Sequence, residues 1–108
     1  MKLPNLENAL VERQKITAYL LSEDNSSGKV VFFATIGFEI NRWEILRDAL
    51  LEHAAAHDVK RISETAHGVK YIIEGELSTP DRRSPQVRSV WIIDSDSNVP
   101  RLVTAYPL

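Results

Sequence analysis

No cysteine occurs among the 108 residues. Disulfides, thiol nucleophiles and cysteine-based metal sites are therefore excluded, and stability must come from packing. Long hydrophobic runs are missing too: none approaches the roughly 20 apolar residues a membrane-spanning helix needs. The N-terminal stretch Met1-Lys2-Leu3-Pro4-Asn5-Leu6-Glu7-Asn8 lacks the apolar core of a signal peptide. These absences fit a cytoplasmic protein with no membrane partner. Glycine is scarce, at four residues, and Gly28-Lys29 lacks the spacing and the second glycine of a phosphate-cradling P-loop. An excess of positive charge is also absent. Thirteen Lys and Arg face 15 Asp and Glu, for a net charge of -2, whereas dedicated nucleic-acid binders are usually basic.

What is present is the composition of an ordinary globular protein, 44% hydrophobic and 26% charged. The length is that of a single domain, expected over residues 1–108, and suffices to bury a core. The near-neutral charge is unevenly spread. Residues 1–58 hold 6 Lys/Arg against 9 Asp/Glu, a net of -3, and residues 59–108 hold 7 against 6, a net of +1. An anion would meet the more favourable field on the C-terminal half.

Helix-like patterns come first and strand-like patterns second, which predicts an α+β layout, N-terminal helices packed on a C-terminal antiparallel sheet. Ile16, Tyr19 and Leu20 give residues 12–21 an apolar stripe at helical spacing. Ser22 to Gly28 is a polar loop by composition. Residues 29–35, with Val30, Val31, Phe32 and Phe33, suit a buried strand or a short buried helix equally, and Gly37 is a stop signal. Asn41 followed by Glu44 has the pattern of a capping box. Trp43, Leu46, Leu50 and Ala54 then line one face of a helix over 42–56. From Val59 the period changes to two. Strands are expected at 59–65, 69–78, 86–94 and 99–106, joined by Ala66-His67-Gly68, the proline-bounded loop 79–85 and Ser95-Asp96-Ser97-Asn98. Such short connections predict a four-stranded meander.

Several residue sets can carry chemistry. His53 and His57 are four apart on one helix face, a spacing compatible with metal binding. Glu52 precedes the first histidine instead of following it, and no third ligand is evident. Two solvent-facing histidines near a helix C-terminus are the plainer reading, and neither metal nor cofactor is expected. His67, in a predicted turn, is a candidate general base because an imidazole titrates near neutrality. Lys70, Arg88, Arg101, Thr104 and Tyr106 all fall on predicted strands. Cations and hydroxyls gathered on an exposed sheet face can grip a phosphodiester. Strict alternation sets Arg101 and Thr104 on opposite faces, so all five share a face only if a bulge intervenes. Glu74 and Glu76 fall on the face of Lys70 and can neutralise it. Arg82-Arg83 is a small basic pair in a loop that can touch a phosphate backbone. Ordinary surface charge on a half-exposed sheet is clearly the better account of these residues taken alone.

Three stretches resemble a bacterial family of small domains of unknown function. The first joins Met1-Lys2-Leu3-Pro4-Asn5 with Lys15-Ile16-Thr17-Ala18-Tyr19-Leu20-Leu21-Ser22. The second joins Gly28-Lys29-Val30-Val31-Phe32-Phe33 with Gly37-Phe38, Trp43 and Leu46. The third, the most specific, runs from His67-Gly68-Val69-Lys70-Tyr71 through Gln86-Val87-Arg88-Ser89-Val90-Trp91 to Pro100-Arg101-Leu102-Val103-Thr104-Ala105-Tyr106-Pro107. In outline the chain is also similar to the barnase/EndoU/colicin/RelE-like group of metal-independent RNases, many of them toxins. That resemblance implies a helix over 29–35, and attack of a ribose 2′-hydroxyl on the adjacent phosphate. It implies that Lys70 and Arg88 stabilise the transition state, that Tyr106 or His67 transfers a proton, and that Thr104 belongs to the same catalytic set. Lys29, Arg83 and Arg101 would bind substrate. The partners implied are RNA and a small cognate protein. Relatives often read His-Pro before the glycine of the first loop, where this chain has Asp24-Asn25-Ser26-Ser27-Gly28 and no histidine. A non-catalytic interaction module, pairing with a small protein or with itself, is the competing expectation.

Overall fold

A computed structural model describes residues 1–21 and 29–108, and of residues 29–31 the backbone alone. The first helix, α1, opens as an α turn over Arg13–Lys15 and continues as a π turn over Ile16–Leu20, closed by Leu21 N–H donating to the Ile16 carbonyl at 2.7 Å. Helix α2 spans Lys29–Thr35 and α3 spans Trp43–Ala56. Four strands follow: β1 (Val59–Thr65), β2 (Gly68–Glu76), β3 (Gln86–Asp94) and β4 (Pro100–Pro107). They form one sheet in the order β1-β2-β3-β4, each neighbouring pair antiparallel. This is the α+β meander that the order of periodicities predicts. The His67-Gly68 turn and the Ser95 to Asn98 turn leave the chain no room for a crossover.

Helix α3 is amphipathic as its spacing dictates. Leu46, Leu50 and Ala54 are buried, while Glu44, Asp48 and Glu52 are exposed. Trp43 is half-buried, with the guanidinium carbons of Arg13 and Arg47 at 5.7 and 5.1 Å from its ring centroid. The capping box expected from Asn41 and Glu44 does not form. A 3-10 turn over Ile40–Arg42 leads into the helix, so Asn41 already lies inside a turn and Arg42 occupies the cap with no side-chain hydrogen bond. Gly37 ends α2 in a left-handed conformation (φ 100°), and a Cβ there would lie 3.0 Å from Pro80 Cβ. The same position serves as helix stop and as contact with the β2–β3 loop.

One sheet face carries the core. Ile73, Val87, Trp91, Leu102 and Ala105 pack with Ile16, Leu20, Phe33, Leu46 and Leu50 of the helices. The N-terminal segment lies along the far edge, where Leu10 bridges Arg101 in parallel, its N–H donating to the Pro100 carbonyl at 2.8 Å.

The expectation that His53 faces solvent is overturned: it is 2% exposed. Its Nε2 lies 3.1 Å from the carbonyls of both Gly75 and Val87, and its Nδ1 lies 3.0 Å from Ser89 Oγ. Carbonyls only accept, so Nε2 carries the hydrogen. Trp91 Nε1–H donates to Ser89 Oγ at 2.9 Å, so the hydroxyl accepts from tryptophan and donates to Nδ1. Every partner is satisfied, which removes the cost of burying these polar groups. The ring of His57 packs edge-on at 4.9 Å. Gly75 is needed beneath it, because a Cβ would come within 2.5 Å of that imidazole.

Candidate functional site

Cross-strand partners project to the same face of a sheet. Opposite the helices, the register sets out three successive rows: Ser63–Lys70–Ile92–Arg101, Arg61–Ile72–Val90–Thr104, and Glu74–Arg88–Tyr106. Val90 and Ile92, 8% and 5% exposed, form its apolar floor. Arg101 and Thr104 share this face because β4 is bulged. The register shifts between Val90 and Trp91, where Leu102 pairs with Trp91, Thr104 pairs with Val90, and Val103 is the extra residue. All five strand candidates therefore stand on one open face.

Within it they divide into two groups. Arg88 Nη1–H donates to the Tyr106 hydroxyl at 3.1 Å, with its guanidinium carbon 5.5 Å from the Tyr106 ring centroid. Arg88 Nε–H also donates to Glu74 Oε2 at 2.7 Å, and Nη2 contacts the same carboxylate. The bonds to Tyr106 first and Glu74 second hold the Arg88 guanidinium above its ordinary pKa. Beside this triad, Thr104 Oγ1 lies 3.3 Å from the hydroxyl of Tyr19, which the π turn of α1 carries to β4.

At the other end, Arg101 makes two hydrogen bonds to Asp94, at 2.8 and 3.1 Å. That contact raises the pKa of Arg101 and lowers that of Asp94. Lys70 stands two strands inward from Arg101, across Ile92, and among the described residues no carboxylate pairs with it. The in-strand pairing expected of Glu74 with Lys70 is replaced by the cross-strand pair with Arg88. His67 is exposed in the β1–β2 turn, beside Gly68, which pairs with Asp94. Asp94 is six residues from Arg88 along β3, which is about 20 Å at strand rise. His67 and the Arg88–Tyr106 pair therefore do not converge. Arg83 lies off the sheet in the β2–β3 loop, ion-paired with Asp81 at 2.9 Å. The side chain of Lys29 and the loop 22–28 lie outside the described residues.

The site also holds residues the sequence reading passed over. Tyr19 looked like one more member of an apolar stripe, and only the π turn redirects it. Glu74 was placed on the right face but with the wrong partner. Lys60 and Arg61 are not among the candidates drawn from the sequence, although a basic doublet at a strand's start is itself a signal. The register shifts there also, with Val59 opposite Ile73 and Arg61 opposite Ile72, leaving Lys60 as the extra residue. Lys60, Arg61, Ile72, Glu74 and Arg88 line a concavity of about 220 Å³ on the open face. Among the described residues, no cluster of three His, Asp or Glu is placed to hold a metal, and no helix is long and apolar enough to cross a membrane.

Helices packed on one face of a four-stranded meander, with cations and hydroxyls on the other, define a class of small α+β domains with an open sheet face. The chain belongs to the family described as Domain of unknown function (DUF6883), which it matches over residues 2–108. Among curated proteins, none matches. Its fold is similar to that of a chain in the solved structure "Contact-dependent growth inhibition toxin - immunity protein complex from Klebsiella pneumoniae 342". The TM-score is 0.72 at 17% identity, over 93% of this chain and 100% of the other.

Proposed function

We propose that this chain is a toxin-type, metal-independent endoribonuclease working from the open sheet face. The observation that carries the reading is the β4 bulge at Val103, which sets Arg101, Thr104 and Tyr106 on the face of Lys70 and Arg88. A fold shared with one chain of a toxin–immunity protein complex is compatible with it. In the proposed reaction the ribose 2′-oxygen attacks the adjacent phosphorus, with the 2′-hydroxyl proton passing to water. The bond from phosphorus to the 5′-oxygen breaks, and that oxygen takes a proton. Tyr106, whose hydroxyl can donate as well as accept, supplies that proton. It is preferred to His67, which lies too far along the sheet to act with Arg88. Arg88 stabilises the charge building on the phosphoryl oxygens, and Glu74 holds its guanidinium in place. Thr104 positions the same phosphate, while Lys70 and Arg101 hold the chain further along.

A second reading is a non-catalytic module that pairs with a small partner protein. It is favoured by the carboxylates of Glu74 and Asp94, which already neutralise two of the cations on the face. Induced expression in a bacterium, followed by assay of growth and RNA integrity, separates the two. The ribonuclease arrests growth and cleaves RNA, and Arg88→Ala or Tyr106→Phe lowers the cleavage rate by about 10²–10³-fold while leaving the melting temperature near that of the parent. A folded parent protein that neither arrests growth nor cleaves RNA sinks this reading and leaves the module.

A further inference from the structure

Cations on the open face are not distributed evenly with respect to their counter-charges. On β3 and β4, Arg88 and Arg101 are each bonded to a carboxylate. On β1 and β2, Lys60, Arg61 and Lys70 have no carboxylate partner among the described residues. The bulge at Lys60 concentrates that surplus. Consecutive strand residues ordinarily point to opposite faces, yet Lys60 and Arg61 both line the 220 Å³ concavity that also contains Arg88. Glu74, its one acidic lining residue, is engaged by Arg88. Three cations and one carboxylate leave the concavity with a formal charge of +2. The floor is Ile72, which offers no competing polar group.

We propose that this concavity is a phosphodiester-binding subsite, separate from the reacting phosphate, in which Lys60 and Arg61 hold a neighbouring phosphate of the same strand. The proposal rests on the ribonuclease reading and adds a direction to it. Neighbouring strands are about 4.8 Å apart, so the β1 side chains stand two strand spacings from Arg88 and three from Tyr106. A single strand of RNA then runs across the sheet, with its reacting phosphate at Tyr106 and Arg88 and the adjoining phosphate at Lys60 and Arg61. Arg88 borders both positions. The phosphate adjoining the reacting one is thereby assigned to β1, and the chemistry to β3 and β4.

The test uses the intact protein, a non-cleavable 2′-O-methyl RNA 12-mer and a cleavable dinucleotide. Both target residues are exposed on an edge strand, so a Lys60→Gln/Arg61→Gln double variant folds as the parent does. It is expected to bind the 12-mer roughly tenfold more weakly at low salt, with the slope of log affinity against log salt reduced by about 0.7 for the one phosphate lost. Cleavage of the dinucleotide, which has a single phosphate and cannot reach β1, stays unchanged. Unchanged affinity and slope in the double variant, with RNA cleavage intact, overturn the subsite and leave the ribonuclease standing. A parent protein that neither binds the 12-mer nor cleaves RNA overturns both. If that parent instead binds an acidic partner protein and the double variant does not, the concavity receives carboxylates and the phosphate assignment is wrong.

Discussion

His53 shows how one buried side chain sets a pH response. Burial is the main cause of its lowered pKa, and the nearby His57 adds to it, while the carbonyls of Gly75 and Val87 oppose the shift. Ser89, the other group in contact, does not titrate, so His57 is the titratable neighbour in ring contact. In the unfolded chain the imidazole returns to its ordinary value near 6.5. Above that value both states are neutral and the contribution is complete. As the pH falls below it, the unfolded chain takes up a proton that the folded chain resists, so stability declines until the folded-state value is reached. Denaturant unfolding at pH 7 and pH 5 should show this loss. His53→Gln should be less stable than the parent at pH 7 by about 1–3 kcal/mol, because partners are left unsatisfied. It should also depend less steeply on pH. A parent whose stability does not change between those values contradicts the neutral, buried assignment. Nothing local to His53 signals this role, since the partners lie 22 to 36 residues away. A histidine near a helix end looks the same whether it faces solvent or a strand.

Among the elements, the strands were legible because their period is two and their turns are rich in glycine, proline, asparagine and serine. Val69, Tyr71 and Ile73 alternate on the core side of β2, and Glu74 and Lys70 fall opposite. The two bulges were not legible. A bulge is defined by the partner strand, and the pairing of Leu102 with Trp91 and Thr104 with Val90 cannot be counted from β4 alone. With Val103 in the chain, Arg101 and Thr104 reach the same face only because that residue is bulged out of the pairing. Deleting Val103, which is half-buried, should preserve both pairings and leave Tyr106 beside Arg88. The expected cost is about 1 kcal/mol, as for a change that creates no large cavity. Deleting Ala105 instead should move Tyr106 opposite Ser89, into a position where the parent has a fully buried alanine. That variant should be severely destabilised and should lose the Arg88 contact. Thermal melts of the two deletions, with the Arg88–Tyr106 proximity followed by NMR, provide the comparison. Equal damage from both deletions would mean that Val103 is not the bulged residue.

For the molecule as a whole, a net charge of -2 conflicts with RNA binding only if charge acts over the whole body at once. The exposed acids of α3, Glu44 and Asp48, belong to the helix layer, whereas Lys60, Arg61 and Lys70 belong to the open face. The smallest extent of the molecule is 22 Å, about twice the Debye length of roughly 10 Å at 0.1 M salt. At that ionic strength the helix-layer acids are largely screened from anything lying on the sheet, and the local surplus on β1 and β2 decides. On the ribonuclease reading, Lys70→Glu should raise KM for a long RNA by about tenfold or more at 0.1 M salt, because it replaces attraction with repulsion beside the bound chain. Glu44→Gln with Asp48→Asn, which makes the net charge less negative by two, should change KM by less than about twofold under the same conditions. Lowering the salt to 0.01 M lengthens the screening distance to about 30 Å. The helix-layer variant should then begin to bind RNA more tightly than the parent, while the effect of Lys70→Glu grows further. If the helix-layer variant instead matches Lys70→Glu in size at 0.1 M salt, RNA is responding to net charge and the open face has no privileged role.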